Sequence, residues 1–188
     1  MQVFGLFPMG GIGITDTSMR ALQAPDLLYL EAAKGWFILG DVAEARNELN
    51  QIDRKFARHP DVLEVEFALA AKKRLWTSCM DIAAALLERA PDRPTAWINC
   101  AITLHQLKQT QEAWDALYTV RNRFPKVSTI PYNLACYACQ LGRIDDSRQW
   151  FKRALTVGGK KIRSLALEDP DLQPLWAEIK FMESGAGL

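Results

Sequence analysis

The chain has 188 residues, 49% of them apolar and 24% charged, with a formal net charge of +1. These values suit a soluble globular protein of one domain or one continuous array of small units. They exclude general attraction to nucleic acid or to an anionic membrane, and no run of about 18 apolar residues is present to cross a bilayer.

Residues 1–25 contain Pro8, a glycine cluster and scattered large apolar side chains. Without a basic n-region they make a poor signal peptide, so a reducing, cytoplasmic setting is the default expectation. The segment is expected to be partly extended or flexible, and Gly10-Gly11-Ile12-Gly13 lacks the strand, Lys and Ser/Thr of a phosphate-binding loop. From Asp26 onward apolar residues follow a helical period. First helices are expected near 26–39, 61–73, 94–107 and 128–141, and second helices near 42–58, 76–90, 110–123 and 144–157. Gly40-Asp41, Lys108-Gln109-Thr110 and Gly142-Arg143 punctuate the pairs, and Pro60, Pro91 and Pro125 close the first three. Four hairpins follow, at 26–60, 61–93, 94–127 and 128–158. Residues 159–188 form a cap and tail, with a short helix near 160–167 and a capping helix over 171–183. Asp169 is its expected N-cap, Pro170 its first residue, and Leu172, Leu175, Trp176 and Ile179 its apolar stripe.

The repeat itself is the main signal. Second helices carry small residues at Ala45, Cys79, Ala113 and Ser147, spaced by 34. First helices carry Ala33, Ala68, Ala101 and Ala135, spaced by 35, 33 and 34, which calls for a one-residue deletion near Arg74. Small side chains let two helices approach within about 8–10 Å. Leu49, Ala83, Leu117 and Phe151, then Ile52, Leu86, Val120 and Ala154, lie four and seven residues further along the same helical face.

The period, the two ladders, the closing prolines and the segment Trp97-Ile98-Asn99-Cys100-Ala101 resemble the tetratricopeptide repeat family. The likeness is strongest over Pro94–Lys126 and weakest in the second repeat, where Glu64 takes the aromatic place. The resemblance spans about residues 26–158. It implies an all-α fold, a right-handed α-solenoid of antiparallel helix hairpins, and a protein-interaction scaffold rather than an enzyme. It further implies a concave groove lined by first helices. Leu30, Val65, Ile98 and Tyr132 would form one row, and Lys34, Leu69, Ile102 and Cys136 a second. Asn99 and Asn133 would flank them, with Phe37 and His105 toward the helix ends. A clamp for a C-terminal carboxylate is disfavoured, because Ile98, Ile102 and Tyr132 stand where its cationic partners would be.

No catalytic residue, metal site or cofactor is expected. Cys136-Tyr137-Ala138-Cys139 has CxxC spacing, but it lies inside a helix rather than at a helix start in a βαβ setting. His59 is expected at a helix exit, and His105, on the groove face, has no evident nucleophile or carboxylate beside it in the sequence. The partner is therefore expected to be a protein or peptide, an extended segment or amphipathic helix, with neither nucleic acid nor membrane involved. A cytoplasmic chaperone for a hydrophobic client segment is the alternative. Self-coverage remains open, by residues 1–25 through Phe4, Leu6 and Phe7, or by a homo-oligomer through the groove or the N-terminal segment. Placing Ala101 at a crossing point predicts that Ala101→Trp overpacks its hairpin; thermal unfolding followed by circular dichroism should lose cooperativity, and an unchanged transition would refute the register.

Overall fold

A computed structural model describes residues 21–181. Among these residues every regular element is helical: α1 (Asp26–Leu39), α2 (Val42–Leu49), α3 (Pro60–Lys72), α4 (Trp76–Arg89), α5 (Pro94–Gln106), α6 (Thr110–Val120), α7 (Thr129–Gln140), α8 (Ile144–Gly158), α9 (Lys160–Glu168) and α10 (Trp176–Phe181). Two 3-10 segments, Arg54–Phe56 and Pro170–Leu175, complete the set. The chain divides into two compact units, one ending at Asn99 and the other beginning at Cys100, so α5 contributes residues to each. Phe4, Leu6, Phe7 and the Gly10–Gly13 cluster lie outside the described residues.

Both units are built of antiparallel hairpins in sequence order. In the first, α1 packs on α2, α3 on α4, and α1 on α3. Leu22, Leu30, Ala33, Ala45, Leu49, Ile52, Phe56, Val62, Val65 and Leu69 form one core cluster there. The buried Asp26 carboxylate accepts the Asp53 amide at 2.8 Å, tying the start of α1 to the loop after α2. In the second unit α7 packs on α6 and α8, α9 on α8, and α10 on α9.

The small-residue ladder of the second helices is fully buried: Ala45, Cys79, Ala113 and Ser147 are each 0% exposed. The residues four and seven positions further on are buried as well. Ser147 shows why a small polar residue is tolerated at such a crossing. Its hydroxyl donates to the Ala135 carbonyl at 2.7 Å, so the two ladders of one hairpin meet through a satisfied hydrogen bond.

The turns inside the hairpins set the register. Gly40, Arg74, Lys108 and Gly142, 34 residues apart, all have positive φ, at 89°, 55°, 66° and 74°. In each turn the following amide reaches back five residues, Asp41 to the Trp36 carbonyl, Leu75 to Ala70, Gln109 to Leu104 and Arg143 to Ala138. This is the Schellman closure, which satisfies carbonyls a helix end would leave free. Counting seven back from each positive-φ residue gives Ala33, Phe67, Ala101 and Ala135. The second repeat is thus not one residue short, as the alanine spacing suggested. Phe67, 6% exposed, holds the crossing position, and Ala68 beside it is half-buried. Volume is exchanged across that hairpin, since α4 carries Ala83 where the other second helices carry Leu49, Leu117 and Phe151.

Three expectations are corrected by local chemistry. The helix expected over 42–58 stops at Leu49, because the Asp53 side chain accepts the Lys55 amide at 2.9 Å and starts a separate 3-10 turn. His59 is an N-cap rather than a helix exit. Its buried ring accepts the Asp61 amide through Nδ1 at 3.2 Å, ahead of Pro60 at the first position of α3. The helix expected over 171–183 is, as far as Phe181, a 3-10 segment followed by the short α10, because Pro174 interrupts a continuous α-helix; residues 182 and 183 lie outside the described residues. Asp169 does cap its start, accepting the Asp171 amide at 3.0 Å, and Leu172, Leu175 and Ile179 are buried.

Positive φ costs a non-glycine residue about 1 kcal/mol. Arg74→Gly and Lys108→Gly should therefore each raise the thermal midpoint by roughly 2–4 °C, and Gly142→Ala should lower it by a similar amount. Differential scanning calorimetry of the three variants measures this; equal midpoints would show that the turns are not held in that conformation.

Candidate functional site

In the second unit the 3-10 segment leaves the cap and lies against α7. It borders an open pocket of about 380 Å³. Helix α5 supplies Ile102, His105 and Gln106 to the wall, α7 supplies Asn133, Cys136 and Tyr137, and the segment supplies Asp169, Pro170 and Asp171. The helical walls are first-helix residues, spaced by three and four so that they share a face.

The segment is fastened by its carboxylates. Asp169 Oδ2 accepts the Tyr132 hydroxyl at 2.6 Å and the Cys136 thiol at 3.6 Å, while its Oδ1 caps the 3-10 turn. Asp171 Oδ2 lies 3.1 Å from His105 Nε2, and the Asp171 carbonyl accepts Gln140 Nε2 at 3.0 Å. His105 Nδ1 is 3.0 Å from the Thr110 hydroxyl, and its ring lies 4.9 Å from that of Tyr137. A neutral imidazole satisfies both contacts by accepting from Thr110 and donating to Asp171. Hydroxyl, imidazole and carboxylate stand in the order of a nucleophile relay, but Thr110 is not part of the pocket wall. The three groups tie α5, the start of α6 and the cap together. One polar atom is left over: Asn133 Nδ2 is buried and has no hydrogen-bond partner.

Burial shifts the acids here in one direction. It pushes Tyr132 upward, reinforced by its bond to Asp169, and it pushes Cys136 and Tyr137 upward. The Cys100 thiol is pushed up to about 11 from 9.0 by the same cause. Cys79 and Cys139 are also raised by burial, and all four cysteines are free. Cys136 and Cys139 therefore lack the lowered pKa of a redox pair. Among the described residues no group of three or more His, Cys, Asp or Glu side chains could hold a metal.

The residues expected to line a groove fall into two sets. Leu30, Val65, Leu69, Ile98, Tyr132 and Cys136 are buried, and Leu30, Val65 and Leu69 belong to the core of the first unit. Lys34, Phe37, Asn99, Ile102, His105 and Asn133 are half-buried. Of these, Ile102, His105 and Asn133 come together at the pocket of the second unit. In the first unit Lys34 pairs with Glu31 at 2.8 Å. The turn register puts Glu64 and Ala68, rather than Val65 and Leu69, in the rows of Ile98 and Ile102. Asp169, Asp171 and Thr110 were not singled out for the site. Asp169-Pro170-Asp171 was legible only as a helix start, and nothing local shows that such a start folds back onto α7.

Two tests follow from these contacts. Tyr132→Phe removes a bond to a carboxylate, worth about 1.5–3 kcal/mol; amide exchange over 169–181 should quicken, and unchanged exchange would mean the bond does not hold the segment. The second concerns alkaline pH. Raised folded pKa values keep these thiols and phenols protonated in the native state while the unfolded chain ionises. Stability from them is fully present below the ordinary thiol value of 9.0 and is lost as pH rises toward the folded value of about 11 for Cys100. Urea midpoints should fall above pH 9; a flat profile to pH 11 would contradict the burial.

No family model and no curated protein matches the chain. Solved structures do. MamA AMB-1 superposes with a TM-score of 0.59 at 20% identity, over 87% of this chain and 94% of that one. MamA from Desulfovibrio magneticus RS-1, from residue 41 to its end, gives 0.61 at 15% identity over 89% and 100%. MamA MSR-1 gives 0.60 at 19% identity over 86% and 98%. At these identities the likeness is one of fold, an all-α fold of helical hairpins.

Proposed function

We propose that this protein is a peptide-binding interaction module without a catalytic step, and that the pocket between α5, α7 and the cap is its principal contact for a partner chain. The observation that carries the reading is Asn133. A buried amide donor with no partner costs about 1–3 kcal/mol; Asn133 lines the pocket, and a turn of its side chain would bring the sealed Nδ2 to a peptide carbonyl there. Ile102 supplies apolar contact beside it, and Gln106 and His105 supply a polar rim.

The mixed polar and apolar wall of the pocket argues for an extended peptide with exposed backbone. It argues against a chaperone site for a wholly apolar client, which would leave Asp169, Asp171 and Asn133 facing hydrocarbon. The free, buried thiols favour a reducing, cytoplasmic setting. Among the described residues no helix is long and apolar enough to cross a membrane.

Peptides selected from a random display library on the wild-type protein test the proposal. Affinity should fall at least about tenfold in Ile102→Asp and several-fold in Asn133→Ala, with the circular dichroism spectrum unchanged. Selected peptides that bind both variants as they bind the wild type would place the partner site elsewhere.

A further inference from the structure

The second unit carries an aromatic cluster that the repeat does not require. Trp114 and Tyr118 on α6 stack with ring centroids 4.4 Å apart and planes 16° apart. Trp150 on α8 meets Tyr118 edge-on at 6.0 Å. None of the three is on the packing ladder, whose members here are Ala113, Leu117 and Val120 on α6 and Ser147, Phe151 and Ala154 on α8. The positions equivalent to Trp114 and Tyr118 in the first two repeats, 34 and 68 residues earlier, hold Met80 and Arg46, and Ala84 and Asn50. Those equivalent to Trp150 hold Ala116, Ile82 and Glu48. Tyr118 is 36% exposed, and Trp114 and Trp150 are half-buried, so the cluster lies at the surface.

Each ring carries a guanidinium. Arg121 lies 3.7 Å from the centre of Tyr118, Arg143 is 5.4 Å from Trp114, and Arg153 is 5.5 Å from Trp150. Arg121 also bonds its own helix at the Tyr118 carbonyl, and Arg143 donates to Gln111 Oε1 at 2.6 Å. The nearby Asp115 carboxylate is taken by Gln111 Nε2 at 2.9 Å. Among the described residues none of the three arginines forms an ion pair, although Arg46, Arg58, Arg93 and Arg148 all do. The segment 100–181 holds twelve Lys and Arg against eight Asp and Glu, so it carries a net positive charge.

We propose that this face of α6 and α8 is a second docking surface, for an acidic peptide segment of a protein partner. The argument is charge complementarity on a preorganised frame. A guanidinium held beside a ring has lost part of its rotamer freedom, and the N–H groups that Arg121 and Arg143 do not spend on Tyr118 and Gln111 remain to meet a carboxylate. Three such guanidiniums on one aromatic cluster suit a run of Asp or Glu side chains. A single-stranded nucleic acid fits less well. It needs free ring faces for base stacking, and the faces of Tyr118 are taken by Trp114 and Arg121.

Binding of a fluorescein-labelled decaglutamate peptide to the full chain, followed by anisotropy at low and physiological ionic strength, tests this. We expect salt-sensitive binding that weakens about tenfold or more in R121Q/R143Q/R153Q. The charge-matched control K160Q/K161Q/K180Q should bind close to wild type. Tyr118→Leu keeps every charge and removes the ring beneath Arg121, and it should weaken binding several-fold. Equal losses in the arginine and lysine variants would reduce the effect to bulk charge and overturn the proposal. So would absence of peptide binding at low salt, or tighter binding of an oligothymidine through the same arginines.

Discussion

Close approach of two helices through a small side chain is the constraint on which the rest of the structure depends. Ala45, Cys79, Ala113 and Ser147 admit no larger group, because each is wholly enclosed. Between Ser147 and Ala135 the approach is close enough for a side-chain hydroxyl to reach the facing helix's carbonyl at 2.7 Å. With the crossing points fixed, the larger residues four and seven positions on fill the space around them, and the first-helix faces turn the other way. The Schellman turns at 34-residue intervals repeat the same closure inside each hairpin.

The pocket comes from the part of the chain that does not repeat. Gly159, with a φ of 62°, ends α8 and lets α9 begin at once; Pro174 then keeps the following segment from joining a longer helix. What results is a short strap whose two aspartates reach Tyr132, Cys136 and His105. Arg148 supports it from behind, gripping both oxygens of Glu178 on α10 and holding that carboxyl below its ordinary pKa. The same strap buries Tyr132 and Cys136, which the repeat pattern alone would leave on an open face. The second unit therefore offers an open pocket with walls of mixed polar and apolar character.

The hairpins were legible in the sequence because period, small residues, glycines and prolines all report the same physics. Where one of those signals is missing, the reading slips. In the second repeat Phe67 stands at the crossing position and Arg74 in the left-handed turn. The alanine at position 68 then misleads by one residue, and Val65 and Leu69 are read as groove rather than core. The site was half legible. Ile102, His105 and Asn133 follow from the groove that the family resemblance implies. Asp169 and Asp171 reach Cys136 and His105 across 33 and 66 positions of chain, through a fold-back that no local pattern encodes. The Trp114–Tyr118–Trp150 cluster was hidden for a related reason, since tryptophans in a repeat protein are first assigned to its core.

Hydrogen exchange of the full chain, alone and with a peptide selected from a display library, tests the central claim most directly. Protection concentrated in residues 100–106, 129–140 and 169–172 would place the peptide in the pocket between α5, α7 and the strap. Protection elsewhere, with those three stretches exchanging as in the free protein, would contradict it.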